Sequence, residues 1–234
     1  MPPATVIPVP AQPVLPVVGS DAVFPVRRIY CIGRNYAAHA REMGGQPDRD
    51  PPFFFCKPAD AAFAVTGEAP TDWPYPSLSD DVHHEIEMVA AIGVGGRDIA
   101  AADALAHVWG YGVGLDMTRR DLQAQMKALG RSWEVGKAFD HAAPMGALHP
   151  VSEVGHPSRG AIWLDVNGER RQQGDLSDMI WSVAEAVAEL SRYFALVPGD
   201  LLMTGTPAGV GPVARGDVLN GHVGGLGAFS IRVV

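Results

Sequence analysis

The sequence predicts a mainly β fold with minor α content (α+β), built as one globular domain behind a short extended segment. Three observations predict it. Glycine and proline, 27 and 20 residues, are scattered along the whole chain and cut it into short runs joined by tight turns. The apolar runs between them have strand length and are rich in β-branched and aromatic side chains. Strand and helix candidates do not alternate regularly, as a doubly wound α/β chain requires. With 47% apolar residues in a length of 234, one sizeable core can be buried.

The elements follow in order. Residues 1–23, opening "MPPATVIPVPAQPVLPVV", are apolar but broken by prolines and lack a positive leading region. They are expected to lie extended along the domain formed by 24–234, as neither a signal peptide nor a spanning helix. Strands are expected in "RRIYCIG" (27–33), "PFFFCKP" (52–58), "HHEIEMVAAIG" (83–93), "GYGVGLDM" (110–117), "GAIWLDVNGE" (160–169), "LLMTGT" (201–206) and "FSIRVV" (229–234). The pair Asn167-Gly168 predicts a hairpin. A short helix is expected over "YAAHAREM" (36–43). A second, in "TRRDLQAQMKALG" (118–130), has Thr118 as N-cap, Asp121 in the first turn, an apolar stripe of Leu122, Met126 and Leu129, and Gly130 as the stop. A third, within 177–199, places Ile180, Val183, Val187, Leu190 and Phe194 at three- and four-residue spacing and ends before Pro198-Gly199.

Composition excludes some function classes. The net charge is −8, from 26 acidic and 18 basic residues, and no basic stripe interleaves with aromatics, so nucleic acid is not an expected partner. No stretch approaches the ~20 apolar residues of a membrane span. Cys31 and Cys56 both sit in apolar runs and are expected to be buried free thiols in a reducing, cytoplasmic setting.

The stretch "DDVHHEIEMVAAIG" (80–93) carries the strongest chemical signal. On a strand, Glu85 and Glu87 project from one face about 7 Å apart. Two carboxylates that close in a poorly solvated place repel and take up a proton unless a cation lies between them, and a hard divalent ion such as Mg²⁺ or Mn²⁺ suits oxygen ligands. The competing reading is an exposed strand face with two solvated glutamates. A zinc H-E-x-x-H signature fails, because residue 88 is Met. Asp116 ends a strand just before a helix start, a frequent place both for ion ligands and for simple helix-end charges. His39 and Glu42, three apart on a short helix, suit a carboxylate-oriented imidazole able to activate water, or a surface pair without function. The paired glycines of "GVGGRD", "GVGPVARG" and "GHVGGLG" lack the strand, helix and acid of a dinucleotide fingerprint, and no serine or cysteine nucleophile signature is present.

Taken together, "IGRNYAAHAREM", "PPFFFCKPADA", "HHEIEMVAAIG", "GYGVGLDMTRRDLQ", "VGKAFD", "LSDMIWSVAEAVAELSRYFALVPGDLLMTGTPAGVGPV" and "GHVGGLG" resemble the fumarylacetoacetate hydrolase family, in the family's order from about residue 24 to the C-terminus. Their wording is most similar to its bacterial fumarylpyruvate-hydrolysing branch. The resemblance implies a mixed β-sandwich roll, a homodimer, and Mg²⁺ or Mn²⁺ held by Glu85, Glu87 and Asp116. It also implies His39 and Glu42 as the water-activating pair, Lys137 as the active-site lysine, and Gln123, Arg34 and Thr206 as substrate-side groups. The implied reaction is carbon–carbon bond hydrolysis of an acylpyruvate (a 2,4-diketo acid), with fumarylpyruvate giving fumarate and pyruvate in the breakdown of aromatic compounds. Oxaloacetate decarboxylation, keto-acid isomerisation or hydration, and a non-catalytic binding homologue remain as alternatives.

Overall fold

Residues 86–92, "IEMVAAI", are buried at every position, so both faces of the strand they form need a cover. The computed structural model, which describes residues 4–42, 44 and 51–234, supplies one layer for each face. The chain opens with β1 (Val14–Pro16), β2 (Val23–Pro25), β3 (Arg28–Gly33), helix α1 (Ala37–Glu42), β4 (Phe53–Lys57), β5 (Ala62–Ala64) and β6 (Thr71–Trp73). It continues through β7 (Val82–His84), β8 (Ile86–Ile92), β9 (Val108–Leu115), β10 (Thr118–Arg119), α2 (Arg120–Ala128), α3 (Glu134–Lys137), β11 (Ala143–Met145) and β12 (His149–Pro150). After α4 (Val151–Val154) come β13 (Ala161–Val166), β14 (Glu169–Asp175), α5 (Val183–Tyr193), β15 (Asp200–Met203), β16 (Gly211–Pro212), β17 (Val218–Val223) and β18 (Gly227–Val233).

The large central sheet runs β4-β3-β15-β8-β9-β11-β5, with β12 also paired to β9. A second sheet runs β14-β13-β17-β18-β6, and β10-β7-β16 form a small third. Ile86, Met88, Ala90, Tyr111, Val113 and Leu115 from the large sheet share one core with Ile162, Leu164, Leu219, Ile231 and Val233 from the second. On the opposite face, Val89, Ala91, Ile29, Leu201 and Met203 meet Leu15, Phe24 and Val26, so the β1–β2 ribbon covers the back of the sheet. Each such fully buried aliphatic contributes about 1.5–3 kcal/mol, and burial on both sides explains why β8 reads as a continuous apolar run. This is the mainly β sandwich expected, with helices in the minority.

Local chemistry explains most element ends. Asn167 and Gly168 both take positive φ, 53° and 82°, the geometry of a two-residue hairpin turn between β13 and β14. Ser182 caps α5 by accepting from the Glu185 N–H, and the Glu185 side chain returns to the Ser182 N–H. The third predicted helix is therefore shorter than its apolar spacing suggests: a 3₁₀ turn, Leu176–Asp178, precedes it and Phe194 lies just past its end.

Four expectations are corrected. The strand over 83–93 is two strands separated at Glu85. Thr118 is not an N-cap: it pairs with His83 in β10, and its hydroxyl donates to the Asp116 carbonyl. The stripe on α2 is not core, because Gln123 is that helix's only buried residue and Leu129 is 53% exposed; the helix lies over the site instead of over apolar sheet. Cys31 is buried, but Cys56 is exposed, since alternation along the edge strand β4 turns it outward. The short helix matches α1, while Met43, the end of that expectation, lies outside the described residues.

Candidate functional site

Strand register builds the site. In the antiparallel β8–β9 pair, Ile86 faces Leu115 and Glu87 faces Gly114, while Thr118 of β10 faces His83 of β7. The same register carries across the interruption, so Asp116 stands opposite Glu85, and the Asp116 N–H donates to the Glu85 carbonyl at 2.9 Å. On the other flank Met203 of β15 faces Val89, which brings the next two residues beside Glu87; the Gly205 N–H donates to Glu87 Oε2 at 2.6 Å. Gly205 has φ +93°, and a Cβ there would sit 2.7 Å from the Asn35 Cβ, so only glycine presents that N–H.

Glu85, Glu87 and Asp116 each offer an oxygen within 4.8 Å of the others, and all three are buried, at 4%, 2% and 1% exposure. This excludes the solvated-face reading. Their surroundings differ. Glu85 pairs with Arg120 and with Lys137 at 2.9 Å. Asp116 pairs with Lys137 at 2.6 Å and Lys57 at 2.7 Å. Among the described residues Glu87 receives only the backbone donor. The electrostatics follow: burial pushes the Glu85 carboxyl up, but the Lys137 and Arg120 charges outweigh it and hold Glu85 below the usual carboxylate range. Burial, reinforced by the Asp116 and Glu85 charges, drives Glu87 well above it. Burial disfavours the Lys137 ammonium, yet Asp116 and Glu85 keep it above its ordinary value and charged. A buried all-oxygen cluster whose third carboxylate has no paired cation among the described residues fits a hard divalent ion.

The cavity beside the cluster, about 150 Å³, is lined by all three acids together with Arg34, His39, Arg120, Gln123, Lys137 and Thr206. His39 is buried at 6% exposure, and its Nδ1 lies 3.1 Å from Glu42 Oε2. Among the described residues its Nε2 has no protein partner. Glu42 does not line the cavity; it also accepts from the Gly209 N–H at 3.0 Å. Asn35 fixes this segment: its amide donates to the Trp181 and Thr204 carbonyls at 2.9 and 2.8 Å, and its Oδ1 accepts from the Trp181 N–H. Arg34, just before it, holds a left-handed φ of 58° and is exposed. Gln123 Oε1 accepts from Arg120 at 2.6 Å. Thr206 Oγ1 accepts from Gln172 Nε2 at 2.8 Å.

The structure thus gathers eight of the nine predicted site residues around one cavity and sets Glu42 directly behind His39. Reasoning from sequence missed three contributors. Lys57 is a fully buried lysine in β4, signalled only by a charge inside the aromatic run "FFFCKP". Arg120 binds Glu85 and Gln123 together. Gln172 is fully buried: its Oε1 accepts from the Ile86 N–H and lies 2.9 Å from His84 Nδ1, and its amide nitrogen donates to Thr206 and Pro207. It clasps the residues on both sides of Glu85 to the Thr206 loop. Nothing in "RRQQGD" distinguishes it from its neighbour Gln173.

Comparison with known proteins agrees with this architecture. The chain superimposes on the crystal structure of fumarylpyruvate hydrolase from Pseudomonas aeruginosa, solved in complex with Mn²⁺ and pyruvate, with a TM-score of 0.97 and 58% identity over 99% of both chains. It is 40% identical over 197 residues to the oxaloacetate tautomerase YcgM of Escherichia coli, covering 84% of this chain and 88% of that one. Identity is 38% over 200 residues to the mitochondrial oxaloacetate decarboxylase of Dictyostelium discoideum, covering 86% and 90%. Residues 28–234 match the family described as fumarylacetoacetate (FAA) hydrolase C-terminal. On that match the chain is a member of the fumarylacetoacetate hydrolase family.

Proposed function

We propose that this chain is a divalent-metal-dependent hydrolase that cleaves a carbon–carbon bond of an acylpyruvate, converting fumarylpyruvate and water to fumarate and pyruvate. The observation that carries the reading is the placement of a carboxylate-backed imidazole in the same cavity as three buried acids. The 58% identity to a fumarylpyruvate hydrolase that binds Mn²⁺ and pyruvate supports the substrate.

Glu85, Glu87 and Asp116 would hold Mg²⁺ or Mn²⁺. When bound, the ion supplies Lewis acidity toward the keto-acid end of the substrate and counter-charge for the departing pyruvate enolate. His39, its ring oriented by Glu42, takes a proton from water through Nε2. Water's oxygen bonds to the acyl carbonyl carbon, where the Lys137 ammonium faces the developing oxyanion. The bond between that carbon and the pyruvate methylene then breaks, and the methylene carbon keeps the electron pair and takes up a proton. Gln123 and Thr206 line the walls that orient the substrate, and Arg34 offers a guanidinium to a carboxylate. The proposal extends to a cytoplasmic homodimer acting in aromatic-compound breakdown. The exposed Val6, Ile7 and Val9 of the N-terminal segment support self-association, which sedimentation analysis measures.

The test is an ultraviolet assay of chelator-stripped protein with and without Mn²⁺, on fumarylpyruvate, acetylpyruvate and oxaloacetate. Metal-dependent loss of fumarylpyruvate is expected. Full activity after exhaustive chelation contradicts the mechanism. The 40% identity to an oxaloacetate tautomerase favours a second reading, keto–enol conversion of oxaloacetate, and turnover of oxaloacetate alone selects it.

A further inference from the structure

The hydrolase reading locates the pyruvate half of the substrate at the acids, and the remaining walls of the cavity then face the acyl half. Those walls include Phe53, Phe55, Trp133 and Lys127. The three rings form one cluster: Phe53 meets Trp133 edge-on at 5.0 Å, and Phe55 lies 6.0 Å from each of the others. They also line a second cavity of about 460 Å³, which Lys137 borders but none of the three acids touches, so the aromatic cluster extends from the lysine to the side away from the acids. Phe55 is tied to the chemistry as well, with the Lys137 ammonium 5.0 Å from its ring centre. The cluster is incompletely covered, for Phe53 is 45% exposed; a flat π-surface open to a binding cavity suits a flat partner. Lys127, exposed at the end of α2, has no ion-pair partner among the described residues.

We infer that Phe53, Phe55 and Trp133 form the acyl-selecting wall, that Lys127 pairs with a carboxylate at the far end of the acyl chain, and that aroylpyruvates are cleaved as well. In that reaction water's oxygen bonds to the aroyl carbonyl carbon, the bond to the methylene breaks, and the methylene keeps the electron pair and gains a proton. An aromatic carboxylate, pyruvate and one released proton result. The acyl group selected is planar and conjugated; a distal carboxylate adds affinity without being required. The inference rests on the hydrolase reading.

The experiment measures kcat/KM with Mn²⁺ for fumarylpyruvate, benzoylpyruvate and acetylpyruvate, in the wild type, Trp133→Ala, Trp133→Phe and Lys127→Ala. Wild type is expected to prefer both flat acyl groups over acetyl. Trp133→Ala should lower the fumaryl-to-acetyl and benzoyl-to-acetyl ratios about tenfold, the scale of one lost stacking surface, and Trp133→Phe should restore most of each. Lys127→Ala should lower the fumaryl-to-benzoyl ratio about three- to fivefold, the scale of one exposed ion pair. Because ratios are read, a partial folding defect cancels. Equal turnover of all three substrates by wild type, or unchanged ratios in Trp133→Ala, keeps the hydrolase reading and overturns this one. No turnover of any diketo acid overturns both.

Discussion

The acid end and the imidazole end of the cavity lie side by side but are built on opposite electrostatic principles. At the acid end Glu85, Asp116, Lys57 and Lys137 are all below 5% exposure and interlocked by ion pairs. At the imidazole end Glu42 keeps 33% of its side chain in solvent, and Arg34 is exposed. A charge pair in a dry place is expensive to break because the survivor stays buried and uncompensated, whereas an exposed pair contributes 0 to about 1 kcal/mol. The comparison teaches that the acid end is part of the fold's stability and the imidazole end is chiefly part of its chemistry.

Breaking the acid end should give the largest effect. Asp116→Ala strips Lys57 of its paired carboxylate and leaves Lys137 with Glu85 alone, and should cost about 3–5 kcal/mol of stability even without metal, read as a lower urea midpoint, with Mn²⁺ binding lost by calorimetry. Near-wild-type stability would contradict the account of those pairs. At the imidazole end, His39→Ala should lower kcat by about 10²–10⁴-fold, the usual share of a general base, while Mn²⁺ affinity stays near wild type. A parallel loss of metal affinity would erase the division between the two ends.

Gln172 sharpens the comparison because it belongs to neither end yet holds the backbone of one. Gln172→Leu leaves the buried Ile86 N–H without its acceptor and should cost about 1–3 kcal/mol. Loosening Glu85 should also weaken Mn²⁺ binding roughly 10–100-fold, as supporting residues of metal sites do; retained affinity at reduced stability would leave Gln172 with a packing role only. The smallest expected change is the stability of Glu42→Gln. It should fall by less than about 1 kcal/mol, although turnover drops with the loss of the partner that orients His39. A loss as large as that of Asp116→Ala would show that the half-buried His39–Glu42 pair is structural after all.

Much of this was legible in the residues. The Asn-Gly hairpin, the α1 helix and most strands follow from turn chemistry and apolar runs. Glu85 and Glu87 were readable because two acids beside an all-buried run need an explanation. The split of that run at Glu85 was not readable: pairing to β9 and β10 on one side and the Gln172 clasp on the other decide it, and neither is local. The Leu122–Met126–Leu129 stripe misled for the same reason, since periodicity reports that a helix has an apolar side and not what that side meets.

The sequence by itself determined which chemistry was available: carboxylates, an imidazole with a carboxylate three residues on, and lysines, set in a β-rich chain with few helices. Tertiary structure alone decided which charges become partners. Lys57, Asp116 and Lys137 lie far apart in the chain, and only the strand register and the α3 turn bring both ammonium groups within 3 Å of the Asp116 carboxylate. The physical reason is that electrostatic strength depends on distance and burial, and neither quantity exists until the sheet has closed.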